Sequence, residues 1–218
     1  MCATTSFEHD LVVLRNLVVP MRDGIRLSLD LYRPAVGGQP LEEPLPVLLE
    51  RTPYGKGDQE RVEQARVFAR HGYLVAVQDC RGCFDSEGEL DFLKQEPFDG
   101  YDTVEWLGQQ PWCNGKVGTY GTSYAAWTQS ALATQAPPNL ACMVLNMGGW
   151  NAHTNTVRHG GAFEMRFMAW AFWHSATNRN SQLKGHPWID QALNEASFRD
   201  WLTRMPIRKG HTPLSLVP

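Results

Sequence analysis

No stretch of this chain is apolar enough, for long enough, to cross a bilayer. The most apolar run, Gly161–Trp173, covers 13 residues and is broken by Glu164 and Arg166, whereas a spanning helix needs about 20 apolar residues. The opening MCATTSFEHDL has neither a basic flank nor an apolar stretch behind it, so no secretory leader is predicted. Runs of Lys and Arg are missing too: 20 basic residues stand against 23 acidic ones, for a net charge of -3. That balance predicts no nucleic-acid partner and no attachment to a membrane. Cysteine is sparse and odd in number, 5 in 218 residues (Cys2, Cys80, Cys83, Cys113, Cys142). This argues against a disulfide framework and for a reducing compartment, the cytoplasm. Cys80-x-x-Cys83 has no second cysteine pair and no histidine at ligand spacing, so zinc is not predicted. A redox role would need a helix N-terminus directly after a strand, and the stretch reads as loop. His153, His159 and His174 are too irregularly spaced for a helical metal site. No internal repeat or low-complexity tract appears, and neither a metal nor a cofactor is expected.

What is present is a globular composition, 43% hydrophobic and 20% charged, enough to bury a core. Val12–Val19 is rich in β-branched residues, Asp23-Gly24 marks a tight turn, and Ile25–Tyr32 alternates apolar and polar side chains. That pattern predicts a β-hairpin whose second strand is half-buried. After the Gly/Pro-rich loop 37–46 the rhythm changes. Pro46–Glu50, Tyr73–Val77, Lys116–Tyr120 and Ala141–Leu145 are short, nearly continuous apolar runs, the pattern of parallel strands buried on both faces. Between them Arg61–Arg70 and Pro97–Gln109 carry apolar residues at helical spacing. Strands alternating with helices of this length predict an α/β fold. From Trp150 the composition shifts: all 6 Tyr have passed and 5 of the 8 Trp lie ahead. Ala162–Trp173 and Ile189–Leu202 read as helices and no strand-like run is visible there. The division predicted is 1–149 for the α/β part and 150–218 for a helical segment.

The densest chemical signal is Lys116-Val-Gly-Thr-Tyr-Gly-Thr-Ser-Tyr-Ala-Ala-Trp127. A buried strand enters Gly121-Thr122-Ser123-Tyr124-Ala125 and a helix leaves it. A serine at such a strand–turn–helix, flanked by small residues, is the nucleophile elbow of α/β-hydrolases. The turn is sharp, so Gly121 and Ala125 must clear each other. The amide of Tyr124 starts a helix and is placed to stabilise an oxyanion. The plainer alternative is that Ser123 caps the helix. A nucleotide loop is not predicted, because Val117 stands after Gly115-Lys116 where Ser or Thr is needed. Upstream, Arg51-Thr-Pro-Tyr-Gly-Lys56 follows a strand and offers the Tyr54 phenol as a second oxyanion donor. Asp79–Gly88 follows the next strand; there Arg81, Asp85 and Glu87 are expected to pair and brace the loop.

Taken together, these segments resemble the group of serine hydrolases that contains cocaine esterase, X-Pro dipeptidyl-peptidase and α-amino-acid ester hydrolase (CocE/NonD). The matching stretches are Val19-Pro-Met-Arg-Asp-Gly-Ile-Arg-Leu, Arg51-Thr-Pro-Tyr-Gly-Lys, Asp79-x-Arg-Gly-x-x-x-Ser-Glu-Gly, Asp99-Gly-Tyr-Asp-Thr-Val-Glu-Trp-Leu, Gln110-Pro-Trp-Cys-Asn-Gly-Lys-Val-Gly and Gly121-Thr-Ser-Tyr. They run in family order over residues 10–150. The resemblance implies a partial α/β-hydrolase core of about six strands with a helical cap segment. It implies Ser123 as nucleophile, and the Tyr54 hydroxyl and the Tyr124 amide as oxyanion donors. The substrate implied is a small-molecule ester, amide or peptide; esterase, dipeptidyl-peptidase, acylase and amino-acid ester hydrolase remain open. Members often have Gly where this chain has Ala126. Phe163, Phe167, Trp170 and Trp173 are candidates for the wall of an acyl pocket.

In this fold the triad runs Ser, acid, His, and its last two members sit on loops after later strands. No strand follows Ala141–Leu145 in this reading, so the triad acid and His are expected to be absent. Asp200 and His211 come in the right order but lie in a helix and a Pro/Gly tail. The chain therefore reads as an N-terminal part, with an inactive ligand- or partner-binding remnant as the alternative.

Overall fold

The computed structural model of the protein describes residues 10–149, 151–154, 156–164, 166–167 and 170. In chain order these form β1 (Asp10–Pro20), β2 (Arg26–Val36), β3 (Gln39–Pro40), β4 (Leu45–Thr52), α1 (Gln59–Arg70), β5 (Leu74–Asp79), α2 (Glu96–Gly108), β6 (Cys113–Thr122), α3 (Tyr124–Ala133), β7 (Leu140–Asn146), β8 (Arg158–His159) and β9 (Ala162–Phe163). The chain divides into two compact units, Met1–Gly149 and Trp150–Pro218.

In the first unit one sheet has the order β1-β2-β5-β4-β6-β7, with the short β3 paired to β2. β1 and β5 both run antiparallel to β2, while β4, β5, β6 and β7 are mutually parallel. Each parallel crossover carries a helix, as it must. α1 opens on Asp58, whose carboxylate accepts the Glu60 amide, and it stops at Gly72, which adopts φ +89°. α2 starts on Glu96-Pro97, where a proline costs no hydrogen bond.

Both faces of the sheet are covered. On one, Ala65 and Ala69 of α1 pack with Val75, Val77, Tyr32 and Tyr120. On the other, Val104 and Leu107 of α2 and Leu132 of α3 pack with Val47, Leu49, Leu29 and Val117. Each buried Leu or Val here contributes about 1.5–3 kcal/mol.

Two strands differ from expectation. The alternation in β2 predicts one wet face, yet Ser28 and Asp30 are buried with the leucines. The reason is β1. Asn16, at a bulge in the β1–β2 register, donates its amide to Asp30 Oδ1 at 2.9 Å, and Arg15 pairs with Asp30 Oδ2 at 2.8 Å. The polar face is thus closed by specific partners. Conversely, Ala141–Leu145 predicts burial on both faces. Among the described residues β7 is the last strand of the sheet, as expected, but Val144 is 63% exposed.

In the second unit the expected helix over Ala162–Trp173 gives way at its start to a hairpin: β8 pairs antiparallel with β9. Gly160 and Gly161 take φ +58° and +92° between them, the signature of a tight turn that non-glycine residues resist. Arg158 closes it, donating to the Gly161 carbonyl at 3.1 Å and lying over the Phe163 ring. Phe163 is 38% exposed, and Arg166 lies over the Phe167 ring. Trp170 is half-buried. Trp173, His174, Asp200, His211 and the expected helix Ile189–Leu202 fall outside the described residues. No helix of the described residues is long and apolar enough to cross a membrane.

Candidate active site

The C-terminal ends of β4, β5, β6 and β7 share one edge of the sheet. β5 pairs on one side of β4 and β6 on the other, so the strand order reverses at β4. Open α/β sheets bind ligands at such a point. The chain leaving β4 there carries Tyr54, and the chain leaving β6 carries Ser123.

Ser123 adopts φ 59° and ψ -115°, a region that costs an L-residue about 1–3 kcal/mol. The surroundings impose it. The Ser123 amide donates to the Asn146 carbonyl of β7 at 2.9 Å, and its own carbonyl accepts the amides of Ala126 and Trp127. The side chain makes no capping hydrogen bond to α3, which removes the helix-cap explanation for this serine. Its side chain is exposed. The small neighbours follow from the turn: a Cβ on Gly121 would meet the Ala125 Cβ at 2.5 Å. Gly121→Ala is therefore expected to cost about 1–3 kcal/mol, the range of an overpacked site. A shift in the urea midpoint checks it, and an unshifted midpoint would show that the turn has slack.

Ser123 and Tyr54 line one cavity of about 490 Å³. Glu50, Arg61, Phe68, Tyr120 and Asn146 line it too; sequence reading missed them, because Glu50 and Tyr120 sit within apolar strand runs. Glu50 is buried and faces Arg61 at 3.3 Å. Burial pushes its carboxyl above the usual carboxylate range, and Arg61 offsets only part of that. Burial also holds the Tyr120 phenol well above its ordinary pKa. Among the described residues no histidine lines this cavity. Tyr54 donates its backbone amide hydrogen to Thr52 Oγ1 at 3.1 Å, and its ring meets Tyr124 edge-on at 6.4 Å. Arg61 lies over the same ring. Tyr124 opens α3 as its first residue, and its phenol donates to Glu96 Oε1 at 3.0 Å.

The loop after β5 is braced, and from beyond the trio Arg81, Asp85 and Glu87 as well. Arg81 forks between Asp99 and Asp23, Lys56 bridges Asp79 and Asp85, and Glu87 pairs with Arg26. Each carboxylate or guanidinium reaches a different element. Cys80 and Cys83 are buried thiols, and burial pushes the Cys80 thiol well above its ordinary pKa. That is the opposite of a reactive pair. His153 is exposed, and His159 lies 3.4 Å from Glu164. No group of three or more His, Cys, Asp or Glu side chains able to hold a metal exists among the described residues.

This chain is similar in sequence and fold to known proteins. Cocaine esterase from Rhodococcus sp. (strain MB1 Bresler) is 42% identical over 139 residues, 62% of this chain and 23% of its own. The crystal structure of a CocE/NonD family hydrolase from Staphylococcus aureus superposes with a TM-score of 0.67 at 26% identity, over 75% of this chain and 33% of that one. An aminopeptidase from a marine sediment Thaumarchaeota archaeon shares the fold, with a TM-score of 0.66 at 24% identity, over 83% of this chain and 33% of its own. The chain spans about a quarter of the length of the curated relatives it matches, 23% to 29%. The α/β-hydrolase-type core is thus present in part. The profile of the family described as X-Pro dipeptidyl-peptidase (S15 family) matches residues 23–212, and the chain belongs to that family.

Proposed function

We propose that this chain carries the nucleophile and oxyanion site of a serine hydrolase that cleaves an ester or amide bond in a small molecule or peptide. The observation that carries this reading is Ser123. A strained, exposed serine that makes no capping bond to the helix it begins lines one cavity with Tyr54. Backbone strain of this kind persists only where the surrounding structure enforces it.

The chemistry then follows. Ser123 Oγ attacks the carbonyl carbon and its proton passes to a histidine, the general base, which an aspartate orients. In this reading both come from parts of the protein outside the described residues. The carbonyl oxygen gains negative charge and is held by the Tyr54 hydroxyl and the Tyr124 amide. The tetrahedral adduct expels the alcohol or amine, leaving acyl-Ser123. Water, deprotonated by the same histidine, releases the acid and restores the serine.

A fluorophosphonate probe tests the reading on the complete protein. Labelling is expected on the peptide containing Ser123 and nowhere in a Ser123→Ala variant. A folded protein that stays unlabelled at Ser123 overturns it. Tyr54→Phe is expected to lower kcat by about 10²–10³-fold, the cost of one oxyanion donor, with KM nearly unchanged. Steady-state kinetics on an aryl ester checks this, and an unchanged kcat would remove Tyr54 from the site.

A further inference from the structure

Segments of the chain that supply no reacting group meet in one buried network, and it ends on Tyr124. The Tyr124 phenol donates to Glu96 Oε1 at 3.0 Å. The other Glu96 oxygen accepts Arg51 Nη1 at 2.6 Å. Arg51 Nε donates to Gln78 Oε1 at 2.8 Å, an oxygen that also accepts the Thr103 hydroxyl at 3.0 Å. Asp99 lies 3.9 Å from Arg51 and accepts Arg81 at 2.6 and 2.9 Å. Arg81 goes on to Asp23 in the turn before β2, at 2.7 and 3.2 Å. The side chains of Arg51 and Glu96 are 1% and 5% exposed.

A buried ion pair is a weak source of stability, because apolar side chains of the same shape often do as well. What the pair does here is fix a position. Burial works against the Arg51 charge, yet Glu96 and Asp99 outweigh it and hold the guanidinium protonated. Arg51 in turn holds Glu96, which stands in the first turn of α2 beside the first residue of α3. The two helices come close enough for this because Gly100 faces Leu132, whose Cβ would lie 2.5 Å from any Cβ added there. Burial, reinforced by Glu96, keeps the Tyr124 phenol protonated and donating. Tyr124 is therefore gripped at its side chain by α2 while its amide heads α3 next to Ser123.

We propose that Glu96 is a positioning residue: by gripping the Tyr124 phenol it sets the direction in which the Tyr124 amide meets the developing oxyanion. This rests on the reading of Ser123 as the nucleophile. The grip is made at one end of the residue, on the phenol, and acts at the other, where the amide heads α3. Phosphonylation reports it directly, since the P=O oxygen takes the place of the oxyanion.

The test is the concentration dependence of fluorophosphonate labelling in the complete protein, which separates reversible binding from the covalent step. Tyr124→Phe removes one oxygen and leaves the ring. It is expected to slow the covalent step about tenfold, a fraction of the roughly 10²–10³-fold that an entire lost donor costs, and to leave probe binding unchanged. Glu96→Gln keeps an acceptor for the phenol and is expected to stay within about twofold of the native rate, against roughly tenfold for loss of the grip. Val104→Ala, a core substitution in the same helix, lowers the melting temperature but leaves the covalent step alone. Native-like labelling of Tyr124→Phe overturns the proposal, and so does equal slowing in Val104→Ala. Absence of labelling in the native protein overturns the nucleophile reading itself, a distinct result.

Discussion

Ser123→Gly is expected, on the proposed reading, to abolish ester hydrolysis by the complete protein and to make it more stable. With Ser123 as the proposed nucleophile, its loss removes the covalent route, and a fall of at least about 10⁴-fold in kcat follows from the behaviour of serine hydrolases stripped of that group. Stability moves the other way. At φ 59° and ψ -115° a side chain is strained by about 1–3 kcal/mol. Glycine enters this region freely, and its extra freedom in the unfolded chain takes back roughly 0.5–1 kcal/mol. The net gain is up to about 2.5 kcal/mol. For a chain of this size each kcal/mol raises the melting temperature by about 2–4 °C. A thermal melt beside a p-nitrophenyl ester assay reads both quantities. A glycine variant less stable than the native protein would mean that the strain is smaller than the entropy glycine adds to the unfolded chain.

Arg51→Met is expected to destabilise the protein by about 3–5 kcal/mol, the penalty for leaving one charge of a buried pair alone. Arg51 is among the largest fully buried side chains, at 1% exposure, and its loss strands Glu96 and leaves Gln78 Oε1 with the Thr103 hydroxyl alone of its two donors. Domains are stable by only about 5–15 kcal/mol, so a large share of the folded population is at risk. Removing the second charge as well, in Arg51→Met with Glu96→Leu, is expected to recover most of the loss. Urea unfolding of the native, single and double variants measures it. A single variant within about 1 kcal/mol of native, far below the cost of a stranded charge, would show that water reaches the pair.

Strands buried on two faces were the easiest part to read, because Pro46–Glu50 and Tyr73–Val77 carry apolar side chains at nearly every position. The serine turn was legible for a steric reason: Gly121 and Ala125 are small where a Cβ would collide. Ion pairing was not legible. Arg51 and Glu96 are 45 residues apart, and Arg81 and Asp23 are 58 apart, and no local pattern links such partners. The burial of Asp30 was hidden for the same reason, since it depends on a bulge at Asn16 in the neighbouring strand. The hairpin at β8–β9 did carry a local signal, Gly160-Gly161, but the apolar run after it dominated the reading.

The bond from the Ser123 amide to the Asn146 carbonyl sets an order of events during synthesis. A ribosome has finished the serine some two dozen residues before the strand that receives its amide exists. Until Asn146 has emerged and docked, the Ser123 amide lacks the acceptor that helps hold this residue in its strained conformation. The full set of bonds at the turn is complete only when the sixth long strand joins the sheet.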